Sequence, residues 1–242
     1  MDNIYYNKKY NVTQNYLDKN DRINALGILD IFQDIAGKHA NVINLGFNNL
    51  VEHGYFWVLS KNRFRVLKDL KGLTDFNVKT YQTEVSFATY NRDFFVSDEK
   101  GELLIIGDSR WCVLDRKSMK IVPSKIVGGT NDVGSPKAFN EKFIRIEKLE
   151  SFDYQMVYKV VYCDLDHNGH MNNTKYVNQI INYLKDETIK FIEIEYISQC
   201  YLDDELHYVF KKIDENKYII NIYNKTKDVL ASKCFVEAEK YD

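Results

Sequence analysis

Between Cys163 and Tyr176 the chain crowds together Asp164, Asp166, His167, Asn168, His170, Asn172 and Asn173. Carboxylates and imidazoles move protons near neutral pH, and carboxamides hold water or a carbonyl oxygen, so the stretch is the densest candidate for chemistry in the chain. A calcium loop is one reading, because Asp164, Asp166, Asn168 and Gly169 stand at positions one, three, five and six of an EF-hand. It fails at position twelve, where Lys175 replaces the bidentate Glu. A transition-metal site on Asp166, His167 and His170 has suitable ligands but no second cluster to complete the shell. Hydrolysis is the third reading. If the segment is extended, Asp166, Asn168 and His170 alternate onto one side, with His167 out of phase. Backbone N–H groups around residues 172–174 would then face developing negative charge on an oxygen. A fourth reading is structural: Asp and Asn capping a helix.

Asp, Asn and Gly favour turns and helix starts over helix interiors, so this stretch should be a loop feeding a helix. A strand-like run precedes it at 156–162, and an apolar face of Tyr176, Val177, Ile180, Ile181 and Leu184 follows it at helical spacing. Near the N-terminus, Ile28, Leu29, Phe32, Ile35, Ala36 and Val42 predict another amphipathic helix. His39, close to that stripe, is expected to be packed. Strand patterns cover 10–12, 55–67, 75–86 and 91–114, the last turning at 98–101, and return at 189–201, 205–213, 218–223 and 229–239. Trp57 and Trp111 read as core or pocket-wall aromatics. Both prolines and a cluster of glycines fall between Pro123 and Pro136, the best linker in the chain. Each half thus repeats strand, loop, amphipathic helix and antiparallel meander, as a duplicated α+β domain would. The expected boundaries are 1–128, a linker at 129–140, and 141–242.

Composition agrees with a folded chain rich in sheet: 45% of the 242 residues are hydrophobic and 28% charged, with 18 Tyr and 14 Phe. A net charge of -2 offers no global field for nucleic acid. No apolar run is long enough for a signal peptide core or a membrane span, so a cytoplasmic protein without membrane insertion is expected. Cys112, Cys163, Cys200 and Cys234 are widely spaced and read as free thiols.

At Asp166, Asn168, His170 and Asn172 the chain resembles the acyl-ACP thioesterases of plants and bacteria, whose second half carries Asp-x-Asn-x-His and a following Asn ahead of a helix. Phe56 to Lys61, Asn91 to Phe94 and Ser109 to Trp111 resemble the first half of that family. The resemblance implies a tandem, or double, hotdog: two long helices, each wrapped by a curved antiparallel sheet. It implies hydrolysis of fatty acyl-ACP to free fatty acid and ACP without a metal or organic cofactor. Asp166 would be base or nucleophile, His170 the proton shuttle, and Asn168 the holder of water or carbonyl. The acyl chain would lie in the first half, with Trp57 as a liner and Asn172, Asn173 and Cys200 as further substrate-binding positions. A further acidic residue of the family falls on Gln199, which cannot accept a proton. Cys200 matches a cysteine once thought nucleophilic and is expected to be a wall residue. The partner would be acyl carrier protein, with Arg110, Arg116, Lys117, Lys120 and Lys125 as a landing site, and the protein a monomer or homodimer. An acyl-CoA thioesterase is the enzyme rival, and a non-catalytic acyl-binding or sensing module the rival of another class.

Overall fold

The structure, a computed structural model, describes residues 5–129 and 135–241. The chain divides into two compact units, one of residues 1–23 and 27–142, the other of residues 24–26 and 143–242.

The first unit contains β1 (Tyr5–Asn11), α1 (Ala25–Val42) from Gly27 onward, α2 (Phe47–Glu52), β2 (Tyr55–Val66), β3 (Asp75–Val85), β4 (Tyr90–Ser97), β5 (Leu103–Asp115) and α3 (Ser124–Val127). Its strands lie in the order β1-β3-β4-β5-β2, each neighbour antiparallel. Most of the apolar stripe expected at 28–42 is the buried face of α1, where Ile28, Leu29, Ile31, Phe32, Ile35 and Ala36 lose their solvent exposure, but Val42, expected on the same face, is 48% exposed at the last position of the helix. Such burial contributes roughly 1.5–3 kcal/mol for each large side chain. Phe32 stacks on Phe94 of β4 at 4.2 Å between ring centroids. Gly107 of β5 permits this approach, since a Cβ there would sit 2.1 Å from Phe32 Cε2. His39 is fully buried and meets a guanidinium nitrogen of Arg92 at 2.7 Å, so it is a packed helix histidine.

On β2 to β5 a polar ladder crosses the sheet through the paired positions Tyr81, Asp93, Asp108 and Arg63. Of the stretch read as a linker, residues 130–134 lie outside the described residues. The segment after them is held on this ladder: Ala138 donates its N–H to Asp93 Oδ1 at 2.8 Å, Tyr81 donates its hydroxyl to the Pro136 carbonyl, and Arg63 donates to the carbonyls of Glu141 and Lys142.

The second unit contains β6 (Tyr154–Lys159), α4 (Asn178–Tyr183), β7 (Glu187–Tyr196), β8 (Glu205–Asp214), β9 (Lys217–Asn224) and β10 (Val229–Lys240). Its antiparallel order, β6-β8-β9-β10-β7, repeats that of the first unit: first strand, third, fourth, fifth, second. The internal repeat read from the sequence is therefore one of topology. The expectation of a second long helix is corrected. A five-residue 3-10 turn, Asn173–Val177, precedes the six-residue α4, against eighteen residues in α1. Asn173, Asn178, Asn182 and the β-branched Thr174, Val177, Ile180 and Ile181 are weak helix formers, so burial of Tyr176, Val177 and Ile180 sets the position of this segment more than propensity does.

Candidate active site

The loop from Asp166 to His170 is a tight hairpin turn and not the extended segment that alternation required. Leu165 and Met171 form an antiparallel bridge at its base. Gly169 donates its N–H to the Asp166 carbonyl at 3.0 Å, and Asp166 donates its own to the His170 carbonyl at 2.7 Å. Gly169 takes a φ of 78°, the left-handed conformation that closes a three-residue hairpin and suits a residue without Cβ. Asp166 Oδ1 accepts the N–H groups of Asn168 at 2.7 Å and His170 at 3.2 Å. Carboxylate and imidazole therefore flank the turn as its two ends, and Asn168 sits at its tip with Nδ2 3.2 Å from His167 Nε2.

The helix-cap reading accounts for the residues that follow. Asn172 Oδ1 accepts the N–H of Thr174 at 3.1 Å and its hydroxyl at 3.3 Å, while the N–H of Asn172 goes to the Asp164 carbonyl. Two of the N–H groups expected to face an oxyanion are thus already engaged. Asn173 accepts the Tyr196 hydroxyl on its carbonyl at 3.0 Å. Asp164, buried, accepts from the Tyr158 hydroxyl and the Val161 N–H and anchors the start of the stretch. Among the described residues no group of three or more His, Cys, Asp or Glu is placed to hold a metal.

The structure joins this loop to the region of Gln199 and Cys200, because Met171 donates its N–H to the Cys200 carbonyl at 2.8 Å. Cys200 has no solvent exposure. Burial pushes its thiol pKa up, against hydrogen bonds from Tyr176 and Asn224, which disfavours the thiolate form. Gln199 accepts the Tyr201 hydroxyl on Oε1 at 3.2 Å.

Two residues that the sequence reading passed over complete the surroundings. Tyr201 presents its ring edge-on to His170, centroids 4.9 Å apart at 87°. Lys227 places Nζ 3.7 Å from the centroid of the same ring, 3.2 Å from the Gln199 carbonyl and 3.1 Å from Asp204 Oδ2. Burial works to raise the Asp204 pKa, but hydrogen bonds from the Tyr201 N–H, Asn224 and Lys227 hold it below the usual value. His170 is lowered, first by partial burial and also by the charge of Lys227, with Asp166 opposing. The imidazole is thus biased toward its neutral form, able to accept a proton near neutral pH.

Trp57 belongs to the first unit. It donates Nε1–H to the Leu45 carbonyl at 2.8 Å and packs edge-on against Tyr90 and Trp111, beside Leu50 and Val113. Of the basic run, Arg110 is half-buried and donates to Asn91, whereas Arg116, which lies over Phe47 and Phe56, and Lys117, Lys120 and Lys125 are exposed. No helix among the described residues is long and apolar enough to cross a membrane.

Antiparallel sheets with helices packed on them define an α+β protein, and its sharpest site is a histidine and an aspartate on one tight turn. Known proteins place it further. Residues 3–126 match the acyl-ACP thioesterase N-terminal domain and residues 147–236 the acyl-ACP thioesterase C-terminal domain, so the chain belongs to the acyl-ACP thioesterase family. It is 21% identical over 219 residues to a chloroplastic palmitoyl-acyl carrier protein thioesterase of Cuphea hookeriana, a match covering 83% of this chain and 53% of that protein. It is 23% identical over 231 residues to oleoyl-acyl carrier protein thioesterase 2 of Arabidopsis thaliana, covering 84% of this chain and 62% of that one. The chain thus spans little more than half the length of these curated relatives. Among solved structures, an acyl-ACP thioesterase from Bacteroides thetaiotaomicron superposes with a TM-score of 0.86 at 22% identity, covering 98% of each chain. The 12:0-ACP thioesterase of Umbellularia californica gives 0.87 at 16% identity, over 100% of this chain and 99% of that one. These likenesses establish the fold.

Proposed function

We propose that the protein hydrolyses the thioester of a fatty acyl group carried on acyl carrier protein, releasing fatty acid and the free carrier thiol. The observation that carries this reading is the pairing of two matched family domains with a neutral-biased His170 beside Asp166 on one turn. Water held at Asn168 loses a proton to His170 as its oxygen attacks the thioester carbonyl. Asp166, fixed by its two backbone N–H bonds, stabilises the imidazolium that forms. Collapse of the tetrahedral adduct breaks the C–S bond, and His170 returns the proton to the leaving thiolate. Gln199 is hydrogen-bonded to Tyr201 and orients the site without taking a proton. Each unit is read as a hotdog, the first holding the acyl chain against its helix, with Trp57 as a liner, and the second supplying the chemistry. Exposed Lys117, Lys120 and Lys125 receive the acidic carrier.

Free thiol measured with acyl-ACP and acyl-CoA of the same chain length tests the reading. Faster turnover of acyl-ACP is expected. Preference for acyl-CoA would assign the rival carrier, and binding of acyl-ACP without thiol release would make the protein a sensing module, the reading that Gln199 favours. Mass-spectrometric capture of an acyl group on Asp166 would replace water attack by covalent catalysis.

A further inference from the structure

Gln199 leaves the second unit's site without the acidic side chain that the family resemblance implies there, and the residue that approaches this position is a cation. Lys227 sits in the turn between β9 and β10 and is anchored on three sides: by Asp204 Oδ2 at 3.1 Å, by the Gln199 carbonyl at 3.2 Å and by the face of Tyr201 at 3.7 Å. Asp204 is 4% exposed and is itself fixed by the Tyr201 N–H at 2.8 Å and by Asn224 at 2.6 Å. The ammonium is therefore held in place, unlike a solvated surface lysine whose chain samples many rotamers. The Tyr201 ring it covers meets the His170 imidazole edge-on. We propose that Lys227 is a positioning residue for His170, acting mechanically through the ring of Tyr201 and electrostatically through its charge.

The inference rests on the reading of His170 as the proton carrier of a thioesterase. The imidazole meets the Tyr201 ring edge-on, and the charges that act on it are Asp166 on its own turn and Lys227 from the β9–β10 turn, itself paired with the buried Asp204. Asp166 favours the imidazolium and Lys227 opposes it. Lys227 is paired with Asp204, and position 199 adds a neutral amide and no second acidic side chain; the effect of the cation on His170 is toward the free base.

Two substitutions separate charge from shape. Lys227→Gln keeps donors for the Gln199 carbonyl and Asp204 but removes the charge, and Lys227→Arg keeps the charge. The titration of His170 is followed in the intact protein by nitrogen-15 NMR, assigned with His170→Gln, alongside the pH profile of kcat/KM for acyl-ACP. Lys227→Gln is expected to move the His170 titration and the acidic limb of the profile up by about half a pH unit, with Lys227→Arg staying at the wild-type position. Tyr201→Leu is expected to lower kcat several-fold, with KM unchanged. A His170 titration identical in wild type and Lys227→Gln overturns the proposal. The two readings fail separately. A shifted titration in a protein that releases no thiol keeps the proposal and sinks the thioesterase, whereas His170-dependent hydrolysis with an unmoved titration does the reverse.

Discussion

A single tight hairpin holds a carboxylate, Asp166, and an imidazole, His170, at its two ends. Gly169 has open space where a Cβ would point but a φ of 78°, so Gly169→Ala pays the left-handed penalty of about 1 kcal/mol without a clash. The expected outcome is a lower kcat, with Gly169→Asn closer to wild type because Asn tolerates this conformation; equal rates for both variants would show that the turn geometry is irrelevant. A second residue-scale prediction follows from the depressed His170 pKa. In the proposed mechanism the neutral imidazole is the active form, so kcat/KM should rise with pH through a pKa below the ordinary histidine value of about 6.5 and be flat by neutrality. A pH–rate profile checks this. The residue types of the site were legible at Asp166, Asn168 and His170, but their arrangement was not. Alternation assumes an extended backbone, and Gly169 bends it. Tyr201 and Lys227 were passed over for a different reason: Lys227 reaches Gln199 only because β10 pairs with β7, bringing the Ala231 carbonyl to Ile197 and the turn before it over residues 199–204. No local pattern announces such a neighbour.

Among the elements, strands were the most readable part of the chain because alternation and turn residues mark them. The run at 55–67 is β2 at Tyr55–Val66, and the turn read at 98–101 separates β4 from β5. The second helix was over-read, since an apolar face at helical spacing says nothing about how many residues keep a helical backbone. Asn172 starts that segment, and Asn172→Ala should cost about 1 kcal/mol of stability while Asn172→Asp retains it, as thermal unfolding would show. A sharper element-scale prediction concerns the segment held on the first sheet. Burial raises the Asp93 pKa to about 6, against hydrogen bonds from Thr83 and Ala138, with Asp108 adding to the rise. Between the unfolded value of about 3.9 and this one, the folded state binds more protons than the unfolded state. Asp93 thus favours folding most below pH 4, and that contribution is lost as pH rises toward 6, up to about 3 kcal/mol in all. Asp93→Asn keeps an acceptor for the Ala138 N–H and cannot ionise. Its stability relative to wild type should therefore be greater at pH 7.5 than at pH 4.5, and a constant difference across that range would contradict the assignment.

For the whole molecule, the near-neutral net charge of -2 makes any recognition of an acidic carrier local. Reversing Lys117, Lys120 and Lys125 to Glu together should raise KM for acyl-ACP by about tenfold. The rate with acyl-CoA should stay unchanged, and the gap should narrow as salt increases. Duplication was legible because two stretches of similar order fill the chain. The identical strand order of the two units shows that the repeat is architectural even though its helices differ in length. The central claim, that His170 and Asp166 cleave an acyl-ACP thioester, is tested most directly by thiol release from acyl-ACP in wild type and His170→Ala. Wild type is expected to release thiol and fatty acid in equal amounts, and His170→Ala to be slower by roughly 10²–10⁴-fold with unchanged thermal unfolding. A correctly folded His170→Ala that hydrolyses as fast as wild type would contradict it.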